Sequence, residues 1–265
     1  MARAPSPGCR TSRRNVLGGL GSTVLWPVTA RSDQGPVIAA AASLRPALDE
    51  IVPRFQSATG KSVRISYGAT GTLVRQIELG GPFEAFLAAD EESVARLEAK
   101  GAIDGESRVL VRGRIGLAAA KGSKIMVEEG LAGLAKALDG GGLRRFAIAN
   151  PELAPYGRAA REALRRAGLW DQVSVRLAVA ENVGQAAQYV ASGAADAGIL
   201  AVASAVVPEV ASAITFMPIP EDQHAPINQR MALLKAAGVD ARAFVAFLGA
   251  PPARALFEKF GFAVP

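Results

Sequence analysis

The chain has 265 residues, half of them hydrophobic and a fifth charged, with a formal net charge of +6. Length and apolar share exclude a mini-protein and wholesale disorder, leaving a globular chain of one or two domains. The basic excess does not imply nucleic acid. Arg3, Arg10, Arg13 and Arg14 lie in a first stretch of thirty residues that holds no Asp or Glu, and the remainder carries 26 basic against 24 acidic side chains.

Residues 1–30 have the order of an export signal: a basic segment, an apolar run from Val16 to Val28, and small residues before a cut after Ala30. Arg13 and Arg14, preceded by Ser12 and followed by Asn15-Val16-Leu17, resemble the twin-arginine signal, which carries proteins across the membrane folded; an ordinary Sec signal that happens to contain two arginines is the alternative. The apolar run is too short and too rich in Gly and Ser for a spanning helix of ~20 residues, and no later stretch has that length. Cys9, the single cysteine, precedes the run and is not placed for lipid attachment. The expected product begins near Arg31, lies in the periplasm, and is held by packing without disulfides.

The mature chain alternates strands and helices. Val37–Ala41 is a short apolar run suited to a buried parallel strand. Ser43 stands at an N-cap position before a helix carrying Leu44, Leu48, Ile51 and Phe55 and stopped by Gly60. Pro46 suits a first turn, whereas Pro53 should kink or interrupt this helix unless packing compensates. Val63, Ile65 and Tyr67 alternate as a strand, 68–71 turn, and Leu73, Val74 and Ile77 open a helix that ends at Gly80-Gly81. A strand over 83–89 follows, then Asp90 as an N-cap and a helix to Gly101. A second set runs through strand 115–120, helix 131–138, strand 146–149, helix 158–167, strand 173–179, helix 183–191 and strand 197–202. Extended pieces over 214–218 and 227–234 and helices over 239–248 and 253–260 close the chain.

This alternation predicts an α/β fold of two lobes, each a mostly parallel sheet flanked by helices. With no Gly/Ser linker, the lobes should share crossings near 111–114 and 218–226. The expected division is a signal over 1–30, a first lobe over 31–112 and 222–265, and a second lobe over 113–221.

Few residues offer catalytic chemistry. His224 is the only histidine and, despite Glu221 and Asp222 nearby, reads as a solvated loop residue rather than a metal ligand. No nucleophile elbow, phosphate loop or dinucleotide fingerprint stands at a strand-to-helix junction. Hydroxyls stand there instead, at Ser43 and Thr70, where open α/β sheets bind ligands and helix starts offer unpaired N–H groups. Two such junctions aimed at one cleft would hold an oxyanion without a cation. On spacing alone, ordinary N-caps that satisfy only their own helices are the better explanation.

The segments AAASL at 40–44, SYGATGTLVRQI at 66–77, PFEAFLAAD at 82–90, NPELAPYG at 150–157 and AENVGQA at 180–186 occur in one order along nearly the whole mature chain. Together they resemble the periplasmic molybdate-binding proteins of ABC uptake systems. The resemblance implies the two-lobe type II periplasmic-binding-protein fold and capture of molybdate or tungstate for delivery to a membrane permease. It implies a monomer with no catalysis, no permanent cofactor and no nucleic-acid partner. It places Ser43 and, in the GATG turn, Thr70 as hydroxyl donors, with the Ala69 backbone N–H as the alternative in that turn. From the other lobe it places Tyr156, through its N–H or phenol, and the Val183 N–H. The metal is thus met only as its oxyanion, through Ser43, Thr70, Tyr156 and Val183.

A tyrosine that some members use is matched by Ala201, and Tyr156 is the substitute the resemblance offers. Receptors for sulfate or phosphate are the alternative within the class. Outside it, the fold occurs in enzymes and in sensing domains of regulators. An enzyme should show an acid, base or attached cofactor, and a regulator should carry a DNA-binding motif where the leader stands.

Overall fold

The structure is a computed structural model that describes residues 35–265. The twin-arginine pair and the expected cut after Ala30 lie outside the described residues. In chain order the first sheet's elements are β1 (Val37–Ala41), α1 (Arg45–Thr59), β2 (Arg64–Gly68), α2 (Thr70–Glu78), β3 (Phe83–Ala88), α3 (Glu91–Ala99) and β4 (Ile103–Gly113). After one residue the chain enters β5 (Ile115–Ala120), α4 (Leu131–Asp139), β6 (Phe146–Ala149), α5 (Pro155–Arg166), α6 (Trp170–Ser174) and β7 (Leu177–Ala180). The second sheet is completed by α7 (Val183–Ala191), β8 (Ala197–Ala201), α8 (Val202–Ala205), α9 (Pro208–Ala211) and β9 (Ile214–Pro218). The chain then returns through β10 (Ile227–Leu234), α10 (Val239–Leu248) and α11 (Pro251–Lys259).

Two five-stranded sheets result, ordered β2-β1-β3-β10-β4 and β7-β6-β8-β5-β9. In each, four strands run one way and the fourth in order, β10 or β5, runs against both neighbours. The α/β alternation and mostly parallel sheets expected from sequence are present. The chain passes between sheets at Arg114 and again between Pro218 and Ile227. Its end straps the first passage: Arg112 and Ala263 exchange backbone bonds of 2.7 and 3.0 Å, and the Arg114 guanidinium donates to the Gly261 carbonyl at 2.8 Å.

The strands are lined with alanine, so helices approach closely, and bulk comes from Phe55, Phe86, Phe146, Phe244 and Phe257. Phe55 meets Phe244 edge to face at 5.2 Å, joining α1 to α10. Gly60 ends α1 at φ 70°, a left-handed conformation that costs glycine little.

One point left open by the sequence is resolved and three expectations need correction. α1 runs through Pro53 without a break, because packing of Ile51 and Phe55 on either side outweighs the lost bond. Residues 173–179 are not one strand: α6 takes Val173 into the core and only Leu177–Ala180 pairs with β6. α5 starts at Pro155 rather than Arg158, since a proline at the first helical position gives up no bond. β4, eleven residues long, extends well before the crossing near 111–114. Its polar stretch 104–109 sits on the sheet edge.

Candidate functional site

Four strand-to-helix connections, two from each sheet, end around one small cavity. β1 leads into a 3-10 turn over Ala42–Leu44 that carries Ser43, and β2 leads through Ala69 into α2 at Thr70. From the other sheet, β6 leads to α5 at Pro155 and Tyr156, and β7 leads to α7 at Val183. The cavity is small, and no charged side chain lines it. Helix starts supply unpaired N–H groups and the positive end of the helix dipole, roughly half a charge each. The lining therefore presents donors and partial positive charge with no cation.

Ser43, Ala69, Thr70, Tyr156 and Val183 all line this cavity. Their local roles differ from simple capping. Ser43 is 1% exposed and stands two residues before α1: the 3-10 turn moves the cap to Leu44, and Ser43 Oγ lies 3.4 Å from Gln229 Oε1. Thr70 is the first residue of α2 rather than its cap, a position that falls to Ala69. Its Oγ1 accepts from the Ala89 N–H at 3.1 Å, which leaves the hydroxyl proton uncommitted. Asn182 caps α7 by accepting from the Gln185 N–H at 3.1 Å, the role that its place before an apolar helical run signals.

Tyr156 is 3% exposed, and its hydroxyl accepts from Gln229 Nε2 at 2.8 Å. Burial pushes the phenol well above its ordinary range, against the opposing pull of hydrogen bonds to Ser43 and Gln229. It is a proton donor at every physiological pH. Ala201 is fully buried at the end of β8, opposite Ile115, and does not line the cavity.

Contacts beside the cavity join elements of the two sheets. The Gly71 N–H donates to the Leu153 carbonyl at 2.8 Å, and Arg158 pairs with Asp90, the residue that caps α3. A larger open cleft of about 810 Å³ lies beside it between α1 and α7, with Arg45, Asp49, Gln188, Val207 and Phe260 on its walls. The smaller cavity is the one that gathers the helix starts and hydroxyls.

His224 overturns the expectation of a solvated loop residue. It is 4% exposed, its Nδ1 lies 2.8 Å from the Ala225 carbonyl, and its Nε2 has no partner among the described residues. The segment is drawn inward because α5 grips both sides: Glu162 accepts from the Ala225 N–H at 2.8 Å and Arg166 donates to the Asp222 carbonyl. No group of three or more His, Cys, Asp or Glu among the described residues is placed to hold a metal. Since His224 does not line the cavity, His224→Ala is expected to cost about 2 kcal/mol of unfolding free energy by leaving a void. Anion affinity should stay within about twofold. Denaturant melts and calorimetric titration of the variant check both parts.

Comparison with known proteins agrees with this architecture. Residues 36–263 match the family model described as bacterial extracellular solute-binding protein. The chain is 31% identical over 259 residues to the molybdate-binding protein ModA of Escherichia coli, covering 94% of this chain and 97% of that one. The solved periplasmic molybdate-binding protein of Azotobacter vinelandii superposes with a TM-score of 0.78 at 30% identity, over 87% of this chain and 99% of its own. A sulfate-binding protein of Mycobacterium tuberculosis shares the fold at 19% identity and a TM-score of 0.69, over 86% of each chain.

Proposed function

We propose that this chain, which belongs to the family of bacterial extracellular solute-binding proteins, captures molybdate or tungstate outside the cytoplasmic membrane and delivers it to an ABC-transporter permease. One observation carries the reading: four helix starts, two from each sheet, converge on an uncharged cavity lined by Ser43, Thr70 and Tyr156. Relatives named for molybdate, similar over nearly their whole length, support that choice of anion.

The chemistry suits an anion that must be held and released. A fully deprotonated tetrahedral dianion offers acceptors only. Each neutral donor contributes about 1.5–3 kcal/mol to a charged acceptor, and no fixed cation opposes release. Anions that carry a proton, such as hydrogen phosphate, bring a donor to a site made of donors and are disfavoured. Ser43, Thr70 or the Ala69 N–H, Tyr156 and the Val183 N–H hold the oxyanion in this reading, and Tyr156 takes the part that Ala201 cannot. The working protein is a monomer without catalysis or permanent cofactor. It is exported through a signal cut near Ala30, with the two lobes dividing near 113 and 222.

A thermal-shift panel of molybdate, tungstate, sulfate and phosphate on anion-free protein tests the function. Ligand at a hundred times Kd stabilises by about 2.7 kcal/mol, which moves Tm by about 5–10 °C in a domain of this size. Molybdate and tungstate should produce that shift and sulfate little of it. A shift with sulfate alone would replace the proposal with the sulfate-receptor reading. Since capture closes two lobes joined by short crossings, small-angle scattering should also give a smaller radius of gyration with molybdate than without. An unchanged profile at saturation would count against closure.

A further inference from the structure

Gln229 is fully buried in β10, the strand on which the chain re-enters the first sheet. Its carboxamide stands between hydroxyls belonging to the two sheets. Ser43 Oγ lies 3.4 Å from Oε1, and Nε2 donates to the Tyr156 hydroxyl at 2.8 Å. The pairing of β10 with β4 slips between Gln229 and Arg230, skipping Leu110, and such a bulge re-aims the side chains beside it. β4 adds a further element at Gly113. A Cβ on Gly113 would stand 2.8 Å from Tyr156 Cζ and 3.0 Å from Gln229 Nε2. The tip of a phenol carried by the second sheet's helix is therefore seated in a slot built from the two strands that flank the crossings, and only glycine leaves that slot open.

We infer that Gln229 is a positioning residue for anion capture, one that acts through Tyr156 by fixing where the phenol proton points. This rests on the oxyanion reading above. A phenol has one proton to give and lone pairs to receive. With Nε2–H directed at the phenol oxygen, the carboxamide does not take the phenol proton, which is left for an acceptor in the cavity. The contact from Ser43 to Oε1 is long for a hydroxyl bond, so turning that proton to the anion forfeits little. The arrangement also ties the site to the crossings, because the phenol is properly seated only when α5 lies against β4 and β10. A carboxylate in place of the carboxamide would reverse the proton logic: it can only accept, so it would draw the protons of both hydroxyls and set a negative charge beside the anion.

The test is calorimetric titration with sodium molybdate of the wild type, Gln229→Met, Gln229→Glu, Tyr156→Phe and the Gln229→Met/Tyr156→Phe double variant, with thermal melts of each empty protein. Gln229→Met is expected to weaken binding about tenfold and Gln229→Glu more than about a hundredfold. Once Tyr156 is Phe, Gln229→Met should add less than about twofold, because the group it acts through is gone. Gly113→Ala, which leaves Gln229 in place but closes the slot, should weaken binding as much as Tyr156→Phe does. A merely structural glutamine would lower Tm and cost the same affinity in both backgrounds, and that additivity would overturn the inference. Should Gln229→Met fail to fold, the same cycle is run with Gln229→Asn, whose carboxamide stops one methylene short. A wild type that binds no molybdate overturns the proposed function and this role together, whereas wild-type binding with an additive cycle overturns the role alone.

Discussion

Thr70→Asp is expected to abolish molybdate capture while leaving the protein folded. The empty protein has little reason to object, since an aspartate at the first position of α2 sits at a helix start that favours negative charge. Its carboxylate also keeps an acceptor within reach of the Ala89 N–H, which Thr70 Oγ1 now satisfies at 3.1 Å. The bound state suffers. A unit negative charge about 5 Å from a dianion costs about 6–7 kcal/mol at an effective dielectric of about 20, a loss of roughly four to five orders of magnitude in affinity. Thr70→Val separates the hydroxyl's two tasks differently. It removes a donor to the anion, worth about 10- to 150-fold, and also strands the buried Ala89 N–H at about 1–3 kcal/mol of fold stability. The stability loss is not visible from sequence, where Thr70 reads only as a junction hydroxyl. Thr70→Ser should retain most of both. Titration and thermal melts of the three variants decide the matter, and a Thr70→Asp protein that binds molybdate within about tenfold of wild type would remove Thr70 from the site.

Much of the fold is legible in the chain because many of its elements are short apolar runs. β1, β5, β6 and α7 fall where Val37–Ala41, Ile115–Ala120, Phe146–Ala149 and Val183–Ala191 announce them. What escapes has a physical reason in each case. β4 is an edge strand, so its stretch from Asp104 to Arg108 includes Asp104, Glu106 and Arg108 and lacks the apolar run that marks a buried strand. The alternation of Val173, Val175, Leu177 and Val179 mimics one strand. In the structure Val173 is buried by α6 while Val175 stays 80% exposed at that helix's end, so the period of two spans a helix and an edge strand. His224 is buried by a tertiary grip from α5 that no local pattern records.

The candidate site was legible where it depends on junctions and hidden where it depends on pairing between distant strands. Ser43 and Thr70 stand at junctions that spacing alone marks, Tyr156 and Val183 enter only through the family resemblance, and the structure gathers all four around one cavity. Gln229 lies 186 residues from Ser43 and 73 from Tyr156, so no spacing links them. One signal was present: in β10, Ile227, Gln229 and Met231 share the buried face while Asn228 and Arg230 turn outward to Glu91. A glutamine on the apolar side of an alternating strand must find buried partners, and here they are the hydroxyls of the site.

Gly157→Ala is expected to damage both stability and capture through a single methyl group. Gly157 is the third residue of α5, and a Cβ there would lie 2.8 Å from the Ala149 carbonyl carbon, 2.9 Å from that of Asn150, and closer still to the Ala149 oxygen. These are backbone atoms at the end of β6, so no side-chain rotation relieves the overlap and the helix start itself must shift. Overpacking of this kind costs about 3 kcal/mol, or about 6–12 °C in Tm for a domain of this size. The shift carries Tyr156 away from Gln229 and Pro155 away from the cavity, and molybdate affinity should fall by at least about tenfold. Gly184→Ala is the matching control at the start of α7. There the nearest neighbour of an added Cβ is Asn182 Oδ1 at 3.2 Å, the far end of a side chain. A helical alanine gains about 0.5–1 kcal/mol over glycine, which offsets the small displacement of the Asn182 cap, so this variant should melt close to the wild-type temperature. Melts and titrations of the two alanine variants read the difference directly. If Gly157→Ala bound molybdate as the wild type does despite a lowered Tm, the close seat of α5 on β6 would serve the fold alone, and Tyr156 would owe its position in the cavity to Gln229 and Gly113.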